Sequence, residues 1–416
     1  ITEDDLTSGA LCFMLNNYEN GGKPWTQTLG TDNSPKPVAG GDAVYAIGTL
    51  KCDGTAEDMA YSNTEGGFAK AEHAYGADGI CENCGGRKIS TPAQLMALSE
   101  DIGSGFTNSN INVVLANDLD MSEITEYRGI GTEEFPFTGK FDGQGHVISN
   151  LVINTPEEAF QGLFGVINDG VEIRNVVLDS SCSITADSYA AGIAACSNGT
   201  GIITIENCGN EADVTVTGKG SHPAGVNAAG ILGVNMGNTV IVRITNCYNT
   251  GNIAGKGESA GICAWLGSSA EVSNCYTAGT VKGVDGDKSF ARFQTAPIFK
   301  RCYETFGGQT TKVTAEEVAN GKLCWLLNNE VSGGENFFQT LGTDTHPVLF
   351  TTHQKVFEVN GIFTNDIVGV KDATAGKPAK GAERIYSVDG MRLQGLQKGI
   401  NIIRKADGTT QKVFVK

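Results

Sequence analysis

One phrase keeps returning in this chain, and its return limits the folds open to it. Asn-Cys followed by a short β-branched strand occurs as "IENCGNEADVTVTG" (205–218), "TNCYNTGNIAG" (245–255) and "SNCYTAGTVKG" (273–283). A degenerate last copy, "FKRCYET", surrounds Cys302. A companion phrase recurs as "GLFG" at Gly162, "GIAA" at Gly192, "GILG" at Gly230 and "GICA" at Gly261. Successive copies lie 27 to 39 residues apart, and the variation falls in Gly/Ser/Asp-rich stretches. A turn of that size holds about two or three short strands. The strands, such as "ADVTVTG" and "TVIVRIT", alternate and are rich in Val, Ile and Thr. Stacked turns pair such strands in parallel, about 4.8 Å apart. The expected fold is all-β: a parallel β-solenoid with short capping helices and a small C-terminal β-domain. Asn207, Asn246 and Asn274 then form a side-chain ladder at one corner. Cys208, Cys247 and Cys275 stack beside them as small apolar thiols, because stacked neighbours lack disulfide geometry.

The phrases "GLFGVI…IRNVVL" and "AGICAWLG…VSNCYTAGTVKG" resemble the GLUG-type repeats of bacterial surface proteins. "ISTPAQLMALSEDI" (89–102) reads as a capping helix, "VVLANDLDM" as a first strand and "FTGKFDGQGHVISNLVI" (137–153) as a first coil. The resemblance covers about 89–310. It implies a right-handed parallel β-helix in a secreted or cell-surface setting and leaves activity open.

A second, longer repeat frames the first. "LTSGALCFMLNN…WTQTLGTDNSPKPV" (6–38) returns as "VANGKLCWLLNN…FFQTLGTDTHPVLF" (318–350), matching Cys12 to Cys324, Gln27 to Gln339 and Asp32 to Asp344. Each copy reads as a short amphipathic helix with Leu11, Cys12, Leu15 and their mates inward, then a turn and a strand. The second copy is expected to cap the open end of the solenoid. The first suggests that another solenoid module once preceded it. The chain starts at Ile1 without Met, which suggests a trimmed product of a longer precursor. The division expected is a cap-like repeat (1–48), a Cys/His insert (49–88), the solenoid (89–310), a second cap-like repeat (311–361), and a linker with a C-terminal β-domain (362–416). That last segment, "RIYSVDGMRLQGLQKGINIIRKADGTTQKVFVK", resembles the C-terminal sorting-type β-domains of exported proteins of Gram-negative gut bacteria, with Asn401 where Tyr is usual. The resemblance implies export to the outer surface.

The insert holds Cys52, His73, Cys81 and Cys84, a C-x20-H-x7-C-x2-C pattern. A CxxC knuckle places two thiolates on one turn, and Cys52 with His73 could complete a tetrahedral zinc site. The segment resembles small zinc-ribbon inserts. It is too polar to bury a core of its own and needs a staple. A Cys81–Cys84 or Cys52–Cys84 disulfide is the alternative. A zinc held there would be structural, with no open coordination position.

The net charge of -17 argues against nucleic acid and anionic membranes as partners, and no run of 18 apolar residues is present. Catalytic signatures are lacking: coil carboxylates such as Glu172, Glu206, Asp213 and Glu271 are scattered by phase, and no nucleophile motif stands beside a His. Tyr248, Tyr276 and Tyr303 follow the repeated Cys and should form a ladder, with Trp265 at a corner of one coil. Such a ladder either stacks against sugars or covers a corner, half buried. The expectation is a monomeric, exported protein that binds glycan or host-matrix ligands without catalysis. A polysaccharide-degrading enzyme or its accessory module is the first alternative, and a structural spacer the second.

Overall fold

The computed structural model describes residues 1–37, 41–52, 56–218, 226–237, 241–267, 269–283, 290–293, 297–305, 307–366, 384–388, 392–393, 395–404 and 410–415. The chain divides into two compact units, Ile1–Lys88 and Ile89–Lys416.

The second unit is a parallel β-solenoid. One side stacks Asn112–Leu115, 140–142, 172–174, Ile202–Glu206, Ile241–Thr245, Ala270–Ser273 and Ile298–Lys300, each paired in parallel with the next. The register places Ile173, Ile205, Ile244, Val272 and Phe299 in one inward column. Further parallel sheets, including those through Ser183–Ala191 and Ala194–Ser197, complete each turn. The helix Pro92–Gly103, opened by a Thr91/Gln94 capping box with Pro92 in its first turn, sends Leu95, Leu98 and Ile102 into the same core.

The recurring Asn has a backbone reason and a side-chain reason. Asn175, Asn207, Asn246 and Asn274 turn the corner at φ between 51° and 58°, a left-handed conformation that Asn tolerates better than most residues. Each amide then donates to its neighbour: Asn274 to Asn246 (2.7 Å), Asn246 to Asn207 (2.8 Å), Asn207 to Asn175 (3.0 Å) and Asn175 to the Asp142 carboxylate (2.9 Å). The ladder is polarised and ends on an anion, which Arg174 also holds. Replacing Asn246 with Ala should cost about 2–3 kcal/mol in urea unfolding, from two lost hydrogen bonds and a strained φ. The Gly variant, free of the strain, should recover part of that loss.

Cys208, Cys247, Cys275 and Cys302 stack directly beside the ladder, buried, each thiol donating to a carbonyl such as Glu206, Thr245, Ser273 or Lys300. All twelve cysteines are free, and burial raises the thiol pKa along this column.

The second cap-like repeat begins on the last rung, where Thr311–Lys312 pairs with Tyr303–Glu304. Its helices Ala315–Ala319 and Lys322–Leu327 lie along the side, where Val318, Leu323, Leu327 and Phe337 form one core with Tyr248, Tyr276 and Tyr303. The rung below Tyr248 carries Gly209, whose missing side chain makes room: a Cβ there would lie 2.3 Å from the Tyr248 ring. The terminal sheet is antiparallel, with Gly399–Arg404 central between Arg384–Ser387 and Thr410–Val415. Asn401 is buried there and clasps Gln397 through both backbone groups, an amide role that Tyr could not fill. The linker 367–383 and the "VDG" and "ADGTT" turns fall largely outside the described residues.

In the first unit, the strand Tyr45–Leu50 pairs antiparallel with Ala56–Ser62 and parallel with Phe68–Lys70. The two repeat copies share three sets of anchoring hydrogen bonds. Asn16 brackets Trp25 through both amide groups as Asn328 brackets Phe337. Gln27 donates to the Leu6 carbonyl as Gln339 does to Val318. Asp32 accepts the Thr28 amide as Asp344 accepts that of Thr340. Leu11 and Leu15 depart from expectation: Leu323 and Leu327 are fully buried, whereas Leu11 is half-buried and Leu15 is 39% exposed.

Candidate functional site

Two adjacent strands bring the Cys/His cluster together. Cys52 follows Tyr45–Leu50 closely, and His73 follows Phe68–Lys70, whose end is tied back by the Ala71 amide on the Leu50 carbonyl (2.7 Å). Cys81 and Cys84 lie on a tight turn closed by the Gly85 amide on the Cys81 carbonyl (2.8 Å), with Gly85 at φ 70°. The four ligand atoms all lie within 4.8 Å of one another. Cys52 Sγ and Cys81 Sγ are 3.7 Å apart, and Cys84 Sγ is 3.5 Å from His73 Nδ1.

Those spacings discriminate between the staples. A disulfide needs sulfurs about 2.05 Å apart. A tetrahedral ion with metal–sulfur bonds of about 2.3 Å and a metal–nitrogen bond of about 2.0–2.1 Å sets sulfurs about 3.8 Å apart and sulfur and nitrogen about 3.5 Å apart. The Cys52–Cys81 and Cys84–His73 pairs have the second spacing and none of the cysteines is bonded to another, so these residues could hold a metal ion.

The thiols are also unlike one another. At Cys81 burial opposes the thiolate, but hydrogen bonds from His73 and from the amides of Asn83 and Cys84 outweigh it and bring the pKa down to about 6. At Cys52 burial and the neighbouring Cys84 and Cys81 push the thiol up to about 12. A cation would offset the burial and the neighbouring thiols that push the Cys52 thiol up. The His73 ring stacks on Tyr75 at 5.1 Å, and Lys88 Nζ lies over the same Tyr75 ring at 5.9 Å. Four protein ligands leave no open position, so such a centre shapes the segment instead of acting on a substrate.

The tyrosines are not a ligand platform. Tyr248 and Tyr276 are fully buried and Tyr303 is 7% exposed. Tyr248 and Tyr276 stack at 5.3 Å with planes 5° apart, and Phe337 meets Tyr276 edge-on at 5.9 Å. The Tyr248 hydroxyl donates to Glu211 (2.7 Å), and that of Tyr276 to the Pro347 carbonyl. Trp265 is not at a corner. It lies in the strand Cys263–Leu266, half-buried, in register with Val234 and packed against the cluster that holds Cys196 and Tyr189.

A recess not anticipated from the sequence lies between the Asn corner and the second repeat. This groove of about 1000 Å³ is lined by His146, Glu206, Asn246, Glu335, Phe350 and His353, among others. Asp118 reaches His146 Nδ1 at 3.0 Å, and His353 Nδ1 lies 2.7 Å from Asp344. The corner half was legible as the Asn column. The far wall comes from residues about 90 or more positions later in the chain, with no local signal.

Fold and cluster together define a laterally capped parallel β-solenoid preceded by a Cys3His module. No protein-family model matches the chain, so the GLUG-type resemblance rests on the repeat phrases alone. The chain is 31% identical over 201 residues to Halomucin of Haloquadratum walsbyi. That match takes in 47% of this chain but only 2% of the length of Halomucin. Among solved structures, a candidate immunoglobulin A1 protease from Bacteroides ovatus matches 65% of this chain and 93% of its own, at 19% identity and a TM-score of 0.44. A likeness of that strength carries no argument about activity, and the fold rests on the strand pairing above. Among the described residues no helix is long and apolar enough to cross a membrane.

Proposed function

We propose that this is an exported, surface-associated binding protein that holds a neutral glycan or matrix ligand in the groove beside the Asn ladder and does no chemistry on it. The groove carries this reading: it combines amide, carboxylate and imidazole hydrogen-bonding groups with the aromatic face of Phe350, the mixture that recognises hydroxyl-rich ligands. A net charge of -17 disfavours polyanionic glycans. The groove carboxylates nearest the corner are committed to structure. Asp142 accepts from Arg174, Asn175 and the Gln144 amide, and Asp118 from His146 and the Val147 amide. A carboxylate held that way is a poor proton shuttle. The similarity to a protein named Halomucin fits an extracellular setting. In the first unit the metal is zinc, chosen by three thiolates and one imidazole, and its role is structural.

The test is a glycan and matrix array probed with the purified chain, with product analysis on every hit. Retention without turnover is expected. Phe350→Ala together with Glu206→Gln should weaken the retained ligand at least about tenfold, the effect of losing one or two contacts at an interface centre. Release of shortened glycan would instead favour the glycan-degrading reading. Binding unchanged in the double variant would remove the groove from consideration.

A further inference from the structure

The first repeat copy leaves bare the face that the second copy buries. Their interiors are equivalent: Cys12 and Cys324, Gln27 and Gln339, and Val44 and Val356 are all fully buried, and Asn16 and Asn328 nearly so. Their outer faces are not. Val318, Leu323, Leu327 and Phe337 are at most 4% exposed because the tyrosine ladder covers them. Their counterparts Leu6, Leu11 and Trp25 are only half-buried, and Leu15 is 39% exposed. The apolar character is kept at every one of these positions, although water now reaches them.

We propose that the Leu6–Leu11–Leu15–Trp25 face is a docking surface, and that its partner is the tyrosine-laddered side of a second β-solenoid module of this kind. The occupant follows from the chain itself. The second copy shows what a face of this shape covers: Phe337 against Tyr276, with the Pro347 carbonyl taking the tyrosine hydroxyl. The first copy retains both devices, Trp25 at the Phe337 position and Pro35 at the Pro347 position. It departs at Ser34, where the second copy has His346 beside Tyr248. A second copy of this chain cannot supply the partner as it stands, because its own tyrosines are already covered. The partner is therefore a solenoid whose ladder is bare. This surface belongs to the first unit, and its assignment does not depend on the binding role proposed for the groove.

Two experiments on the full chain test this. Leu323→Glu with Phe337→Glu should lift the second copy off its own ladder and present a bare tyrosine face. Copy one of a neighbouring molecule should then take that place, and sedimentation velocity should show concentration-dependent association. Adding Leu11→Glu and Leu15→Glu should return the protein to monomer. A lifted variant that stays monomeric, or association indifferent to Leu11 and Leu15, would overturn the proposal. Because lifting the cap threatens folding, the second experiment needs no lifted state. Residues 2–37 are grafted in place of 314–349. The melting temperature should stay within about 3 °C of the parent, roughly 2 kcal/mol in a unit of this size. A larger fall would show that the first face does not fit a tyrosine ladder.

Discussion

Cys84→Ser in the full chain is expected to abolish stoichiometric zinc and to unfold most of the segment from Cys52 to Lys88. Its size follows from what else holds that segment. Among its described residues, Cys52 and Cys81 are the only buried apolar side chains, and both are proposed ligands. Structural zinc contributes about 10–16 kcal/mol in small modules of this kind, far more than the remaining contacts can supply. Elemental analysis should fall from one zinc per chain to none. Calorimetry should lose the transition of the Ile1–Lys88 unit or move it down by more than about 10 °C, with the solenoid transition unchanged. A chelator should reproduce this in the parent, and a phosphine reductant should not. Sensitivity to the reductant alone would restore the disulfide alternative. Indifference to both reagents and to the substitution would mean that nothing staples the segment.

Tyr276→Ala is expected to cost about 3–5 kcal/mol, the usual consequence of truncating a fully buried aromatic. The ring stacks on Tyr248, meets Phe337 and anchors the second repeat to the solenoid, so its loss leaves a cavity at the centre of that contact. The melting temperature of the second unit should drop by about 4–7 °C. Tyr276→Phe isolates the hydroxyl, which donates to the Pro347 carbonyl, and should cost about 1–2 kcal/mol. A sugar-stacking tyrosine would behave oppositely: the Ala variant would keep its stability and lose ligand. That outcome, with Tm unchanged, would contradict the burial described here.

Period and chemistry were legible in the sequence because both are local. A repeat places Asn175, Asn207, Asn246 and Asn274 in one column whatever surrounds them, and the left-handed corner is a property of each residue's own backbone. The Cys52–His73–Cys81–Cys84 set was legible as a staple for so polar a segment, but the sequence left metal and disulfide both open. What covers a column was not legible. Tyrosine suits an exposed platform and a buried contact equally well, and the choice at Tyr276 was made by Phe337 and Pro347, more than sixty positions later. The sequence also did not show that the helices of the second repeat pack on the tyrosine ladder. The same gap hid the groove, whose walls meet only when that repeat docks. Repeat spacing thus determined the solenoid and its ladder, and the C-x20-H-x7-C-x2-C pattern marked residues that could hold a metal. Tertiary packing alone decided which face of the solenoid meets water, because that depends on which distant apolar surface removes the tyrosines from it.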